Sequence, residues 1–499
     1  MTHATGYSER PIPLVKGTAD RLPGDFARLA GLENLLLDRF ARAGYDRLST
    51  PVLEPVELHE RKSGAGIVAK LFELSGQATG RVCLRPELTA GIVRAYTAAE
   101  PPPALPWRVA HAGPAFRREA PGRPDRLREF RQVGVERLGD SGPVADAEVI
   151  WLAGWALAEA GVEGATIRLG HVGLILEMLG RSGLPATARA ALVEMLSEAA
   201  AEGGDVGSIG RGLDHFTAWL RQAATQGEAP PPPAVGADSG GIDRLFRTLV
   251  PVVNGRRSGG EIVERLRRKW DLGHSLLATL DRVRDQVRDL AALQGPPGLV
   301  LDRLARDHEA QAPDSVAGLR ALVGALADHG VDLGRVELDL GFGRGIGFYS
   351  RVVFEVVAPT PEGPVEVCGG GRYDGLARVL GSDRDDRGVG FAFGLERVAA
   401  VLDGQGRGEA RGRAPDLTVA PASAAEQAQA IRLATSLRGR GNRVLLADSP
   451  SASEGPGRLV VVHADGTLSV LGPSSKAARR VAPEDLIRLV EAEAREPHP

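Results

Sequence analysis

The sequence predicts an α+β protein: an antiparallel sheet with flanking helices, a helical insertion, and a small C-terminal α/β domain. Three observations carry this. Helical and strand patterns alternate irregularly over 10–166 and return over 336–403, as in mixed layers around an antiparallel sheet. Residues 167–335 turn to Ala/Leu/Arg-rich helical stretches broken by Pro230 to Pro233 and glycines near Gly240. After Gly404 the run GQGRGEARGRAP, 404–415, has the composition of a linker, and 416–495 read as a separate domain.

In chain order, Phe26, Leu29, Leu32, Leu36, Leu37 and Phe40 recur at helical spacing between Asp25 and Arg42, with Gly44 as a stop. Tyr45 to Val52 reads as a short strand whose Thr50-Pro51 end suits an edge or an interface, because proline offers no ladder donor. Further strands are expected around Arg81 to Leu84, Trp107 to Ala112 and Gln132 to Leu138, with a helix from Thr89 to Tyr96. Beyond the insertion, Val336 to Leu340 and Val352 to Val357 resume the strand pattern. The last domain should run strand Leu417 to Ala420, helix Ala424 to Arg438 and strand Arg443 to Leu446. The segment SPSASEGPGR then interrupts it, so the domain reads as cut short.

Composition narrows the function classes. A chain of 499 residues with 43% hydrophobic and 25% charged residues can bury a large core in two or three domains. A net charge of −3 exerts no general pull on nucleic acid, so RNA contacts would need local basic patches. Cys83 and Cys368 are the only cysteines, which argues against disulfides or a structural metal site and fits a reducing, cytoplasmic setting. No apolar run approaches a membrane span, and the start lacks the apolar core of an export signal.

Four stretches carry chemistry. Gly113 to Gly139 sets Arg117 and Glu119 before a basic loop that includes Arg126, then Gln132, Gly134 and Glu136 at alternate positions. Alternation along a strand points an amide and a carboxylate to one face, while arginine's fork of donors suits phosphate oxygens. A lone Arg–Glu pair is usually a surface charge network; the ordered run is far more specific. Leu84 to Ala95 places Glu87 and Thr89 where a strand meets a helix, and a helix cap alone could explain the threonine. In Leu340 to Glu355 glycines frame Arg344 ahead of Phe348 and Tyr349; a tight surface turn could do the same. Cys368 to Leu402 joins a glycine string, Tyr373 and the run GLER ending at Arg397.

Together these stretches resemble the motifs of class II aminoacyl-tRNA synthetases in the form used by the histidyl-tRNA synthetase family. The resemblance implies a class II fold and ATP-dependent activation of histidine to histidyl-adenylate, with Mg²⁺, followed by transfer to tRNA(His). It implies that Arg117, Arg344 and Arg397 are catalytic, and that Arg117, Glu119, Arg126 and Arg397 bind ATP. Glu87, Thr89, Gln132, Glu136, Tyr349 and Tyr373 would bind histidine, with no resident metal. The first helix and Pro51 are similar to motif 1, which implies a homodimer.

The chain also departs from the family pattern. The loop Pro121 to Arg126 is one residue longer, Gly347 and Phe348 replace an Asp and a Tyr, and Arg387-Gly388 stands where motif 3 normally opens with proline. The altered loop, Gly347-Phe348 and the cut-short C-terminal domain resemble a paralogue, the regulatory subunit of ATP phosphoribosyltransferase. That alternative implies a histidine-sensing, non-catalytic role beside a phosphoribosyltransferase catalytic subunit.

Overall fold

In the computed structural model the described residues are 12–63, 65–75, 80–118, 127–184, 189, 192–193, 214, 217, 275–342, 349–384, 387–407, 417–450, 458–472, 478–483 and 485–486. Two compact units divide the chain: Met1–Asp20 with Leu29–Glu409, and Arg21–Arg28 with Ala410–Pro499.

The first unit takes α1 (Pro23–Arg42) from Leu29 onward, then β1 (Asp46–Leu48), β2 (Leu53–Pro55), α2 (Val56–Ser63), β3 (Phe72–Leu74), β4 (Val82–Leu84) and α3 (Thr89–Ala98). It continues with β5 (Trp107–Phe116), β6 (Glu129–Leu138), α4 (Pro143–Glu159), β7 (Thr166–His171), α5 (Val172–Arg181) and α6 (Ser275–Ala291). Then come β8 (Gln294–Gly295), α7 (Pro297–Asp307), α8 (Pro313–Asp328), β9 (Val336–Asp339), β10 (Val352–Thr360) and β11 (Gly363–Arg372). A four-residue helix α9 (Leu376–Val379), β12 (Gly388–Gly394) and α10 (Leu395–Gly404) close it. Nine strands form one sheet in the order β1-β5-β6-β12-β11-β10-β7-β9-β8, and β2, β4 and β3 make a small second sheet. From β5 through β7 every neighbouring pair is antiparallel; the parallel pairs lie towards the edges, β1 on β5 and β7 on β9.

Side-chain alternation divides the sheet into two faces. Val133 and Val135 of β6 enter the main core with Leu36 and Phe40 of α1 and Ile150 and Leu157 of α4. Phe40 meets the Phe391 ring edge-on at 5.7 Å. Gln132, Gly134 and Glu136 therefore face the other way.

The expected strand at Tyr45 to Val52 is split. Asp46–Leu48 joins β5, and after Thr50-Pro51 the chain starts β2 in the other sheet. Arg85 fixes this break from inside, donating to the Thr50 carbonyl at 2.7 Å, the Pro51 carbonyl at 3.3 Å and the Pro114 carbonyl at 2.8 Å.

The boundary drawn at residue 167 is also corrected: β7 is an interior strand, paired with β10 on one side and β9 on the other. Leu169 is fully buried and Ile167 nearly so, and α8 packs along α4, with Leu319 and Leu326 in the same core as Ile150. Apolar burial thus ties both ends of the stretch read as an insertion to the sheet. Most of 185–274 lies outside the described residues.

In the second unit β13 (Leu417–Pro421), β14 (Val444–Leu446), β15 (Arg458–Val462), β16 (Leu468–Leu471) and β17 (Arg479–Val481) form a five-stranded sheet, order β14-β13-β15-β16-β17, and α11 (Gln427–Gly439) lies between β13 and β14 in the chain. Leu417, Val419, Ala434, Leu437 and Val460 build its core. The domain is less curtailed than its sequence suggests, because β15 resumes after the Gly/Ser/Pro segment and pairs in parallel with β13. Its Leu-Val-Val-Val run supplies the β-branched residues of a buried strand.

Candidate active site

The sheet face turned away from α1 and α4 carries Gln132 and Glu136 on β6, alongside β12. Glu136 pairs with Gly390 across this ladder, and Gly390 pairs in turn with Gly371 of β11. A Cβ at Gly390 would lie 1.8 Å from Glu136 Oε2 and 2.5 Å from the Val135 carbonyl; only a bare backbone leaves room for this carboxylate. At Gly134 a Cβ would sit 2.0 Å from the Phe391 carbonyl and 3.0 Å from His111 Nε2.

Glu136 is buried and accepts from Thr89 Oγ1 at 2.6 Å and from the Tyr373 hydroxyl at 2.5 Å. Burial pushes its pKa up to about 7, against the opposing pull of these two donors. Tyr349 packs with Tyr373 in the apolar cluster of Val93, Tyr96 and Leu376, and its ring closes over Gly371. Gln132, four residues before Glu136 on the same face, has a buried Oε1 with no hydrogen-bond partner among the described residues. An orphaned buried acceptor is costly, and it suits a ligand that offers an N–H group. The threonine is no helix cap: Ala90 N–H at the start of α3 is taken by Glu87 Oε1 at 3.1 Å.

Glu87 also pairs with Lys62 Nζ at 2.8 Å and faces His59 Nδ1 at 3.7 Å. Burial alone would raise its pKa; the Lys62 ammonium chiefly reverses this and holds it near about 2. His111 Nε2 stands 3.9 Å from Glu136, and burial lowers this histidine to about 4, so it is neutral. Neither of its ring nitrogens has a hydrogen-bond partner among the described residues.

Two of the three expected catalytic arginines are described. Arg117 follows β5, donates to the Pro86 carbonyl at 3.0 Å and lies over the Phe130 ring. Arg397 is in the first turn of α10, three residues after Gly394, which pairs with Gln132. Its guanidinium is 3.3 Å from the Glu366 carbonyl and 3.7 Å from that residue's carboxylate. Glu396 locks the same turn to β6 by accepting from Arg131 N–H at 3.0 Å. Arg344, Glu119 and Arg126 lie outside the described residues. The motifs alone did not single out His59, Lys62 and His111. The available signal was the i, i+3 spacing of His59 and Lys62 on α2, which shares a face but names no partner.

A family model described as histidyl-tRNA synthetase matches residues 17–211 and 241–398. The chain belongs to the histidyl-tRNA synthetase family. It is 31% identical over 434 residues to a histidine–tRNA ligase of Synechococcus sp. (strain JA-3-3Ab), covering 86% of this chain and 84% of that one. With the histidine–tRNA ligase of Streptococcus pneumoniae (strain P1031) it is 29% identical over 481 residues, 93% and 91% of the two chains. Among solved structures, apo histidyl-tRNA synthetase of S. aureus superposes with a TM-score of 0.61 at 19% identity, over 96% of this chain and 99% of that one. An ATP phosphoribosyltransferase regulatory subunit/histidyl-tRNA synthetase from Bacillus halodurans gives 0.59 at 22% identity, over 88% and 94%. These likenesses establish the expected fold, a mixed α+β unit on a mainly antiparallel sheet followed by a small sheet domain. No described helix is long and apolar enough to cross a membrane.

Proposed function

We propose that the protein is a histidine–tRNA ligase. The observation that carries this reading is the buried Glu136 carboxylate, held by Thr89 and Tyr373, on the strand face that also carries the orphaned oxygen of Gln132. A buried carboxylate at the cluster that holds the Tyr349 and Tyr373 rings suits an imidazole, whose N–H it can accept. Glu87 faces the ligand's α-ammonium.

In the first step a carboxylate oxygen of histidine attacks the α-phosphorus of ATP; the new P–O bond forms as the bond to pyrophosphate breaks. Negative charge grows on the phosphoryl oxygens, and Arg117, Arg344 and Arg397 offset it, so catalysis is positioning and electrostatics. Glu119 and Arg126 contact the nucleotide. ATP enters as its magnesium complex. In that complex the ion is carried largely by the nucleotide's phosphates. A hydroxyl of the terminal adenosine of tRNA(His) then attacks the mixed anhydride, takes the histidyl group and releases AMP. The motif 1 segment around Pro51 serves a homodimer, and the setting is cytoplasmic.

A second reading uses the same pocket: a histidine-sensing regulatory subunit working beside an ATP phosphoribosyltransferase. Gly347 and Phe348, where the synthetase signature has Asp and Tyr, favour it. The test is histidine-dependent ATP–pyrophosphate exchange by the purified protein, with charging of tRNA(His). The ligase reading expects both. Absence of exchange, together with activation of a short-form phosphoribosyltransferase, would overturn it.

A further inference from the structure

Lys62 has no part in the reaction just described, yet it sits in the amino-acid pocket. It projects from α2, its side chain is 4% exposed, and its Nζ is 2.8 Å from Glu87 Oε2. The other oxygen of that carboxylate accepts from Ala90 N–H and faces His59. Both oxygens of Glu87 are therefore engaged by the protein, one of them by a full positive charge. The same ammonium also acts on Glu136, where it favours the ionised form, so Lys62 lies within electrostatic reach of both carboxylates of the pocket.

We infer that Lys62 is a specificity-determining residue: its ammonium holds the counter-charge position on Glu87, so a ligand benefits from its own α-ammonium only by displacing Lys62. This rests on the reading of the Glu136 site as a histidine pocket with Glu87 on the amino-group side. A buried carboxylate stabilises one cation well, and a second brought beside the first meets like-charge repulsion at low dielectric. Expelling Lys62 replaces one ammonium by another and leaves the lysine to be resolvated, so the exchange yields little net affinity. The pocket then selects its ligand by the imidazole, through Glu136, and is nearly indifferent to the amino group.

The experiment is calorimetric titration of the full-length protein with L-histidine and with 3-(imidazol-4-yl)propanoate, which keeps the ring and the carboxylate and lacks the amino group. Wild type should bind the two within about threefold of each other, near the noise of one weak contact. Lys62→Met, which keeps chain length and removes the charge, should bind histidine tighter and favour it by about tenfold or more, the usual scale for a hydrogen bond to an unpaired charged group. Lys62→Arg should behave as wild type.

A wild-type preference for histidine beyond about threefold overturns the inference, and this holds even if Lys62→Met fails to fold. So does a Lys62→Met protein in which both affinities move together, because a merely structural lysine would alter both ligands alike. If neither ligand binds wild type or either variant, the histidine-pocket reading itself falls, and the inference with it. Binding of both ligands with the wrong ratio removes only the role of Lys62.

Discussion

Glu136 is where burial and hydrogen bonding act most visibly against each other. Burial raises its pKa from 4.5 to about 7, while the Thr89 and Tyr373 hydroxyls favour the ionised form. Because the folded pKa is raised, between about pH 4.5 and 7 the folded state keeps a proton that the unfolded chain releases. The associated stability is complete below that window and is lost as pH rises through 7, by on the order of 3 kcal/mol. Burial has the opposite consequence at His111 and His171, each lowered to about 4. Their contribution is present above about pH 6.5 and lost as pH falls through 4, so the total curve mixes both signs. A difference measurement isolates Glu136: Glu136→Gln should gain on wild type by about 3 kcal/mol between pH 4.5 and 8 in urea unfolding. A gap that stays constant with pH would show that the carboxyl is ionised throughout. This residue was legible in the sequence because its alternation with Gln132 lies inside an ordered motif. Lys62 and His111 were not: each becomes significant only through a neighbour distant in sequence, Glu87 for one and Glu136 for the other.

The β6–β12 ladder turns two sequence motifs into one site, and its glycines are as specific as its charges. In Gly390→Ala the new methyl would overlap Glu136 Oε2 and crowd the Val135 carbonyl, so the carboxylate must rotate or the strands must part. The expected result is a loss of about 1–3 kcal/mol in thermal or urea unfolding. Histidine affinity should fall at least about tenfold by calorimetry, as one charge-assisted contact is lost. Unchanged affinity would mean that Glu136 does not contact the ligand. The elements themselves were unevenly legible. Six apolar residues at helical spacing announced α1, although Phe26 proves exposed. The strand expected at Trp107 to Ala112 runs on to Phe116, because the ladder to β6 carries it past Gly113 and Pro114, residues that mask a strand pattern. Six-residue β7 was hidden by its setting: with Arg168 inside it and helical texture beyond, only its pairing with β10 and β9 identifies it.

At the scale of the molecule, the division into two units separates the proposed chemistries. Arg117, Glu136, Tyr373 and Arg397 all lie within residues 29–409, while 410–499 have their own sheet and apolar core. Amino-acid activation needs only the first group, whereas discrimination of one tRNA needs a second point of contact. Residues 416–495 carry about ten basic and about as many acidic side chains, so any hold on RNA must come from local arrangement, with no general excess of positive charge to assist it. A chain ending at Arg407 should therefore keep histidine-dependent ATP–pyrophosphate exchange within about threefold of the full-length rate, since every residue assigned to that step remains. Its kcat/KM for charging tRNA(His) should fall by about a hundredfold or more, as expected when one of two linked binding modules is removed. Loss of both activities in a truncated chain that still melts cooperatively would show that the second unit supports activation itself. Charging at the full-length rate would take residues 416–495 out of tRNA recognition and leave the acceptor end as the sole contact.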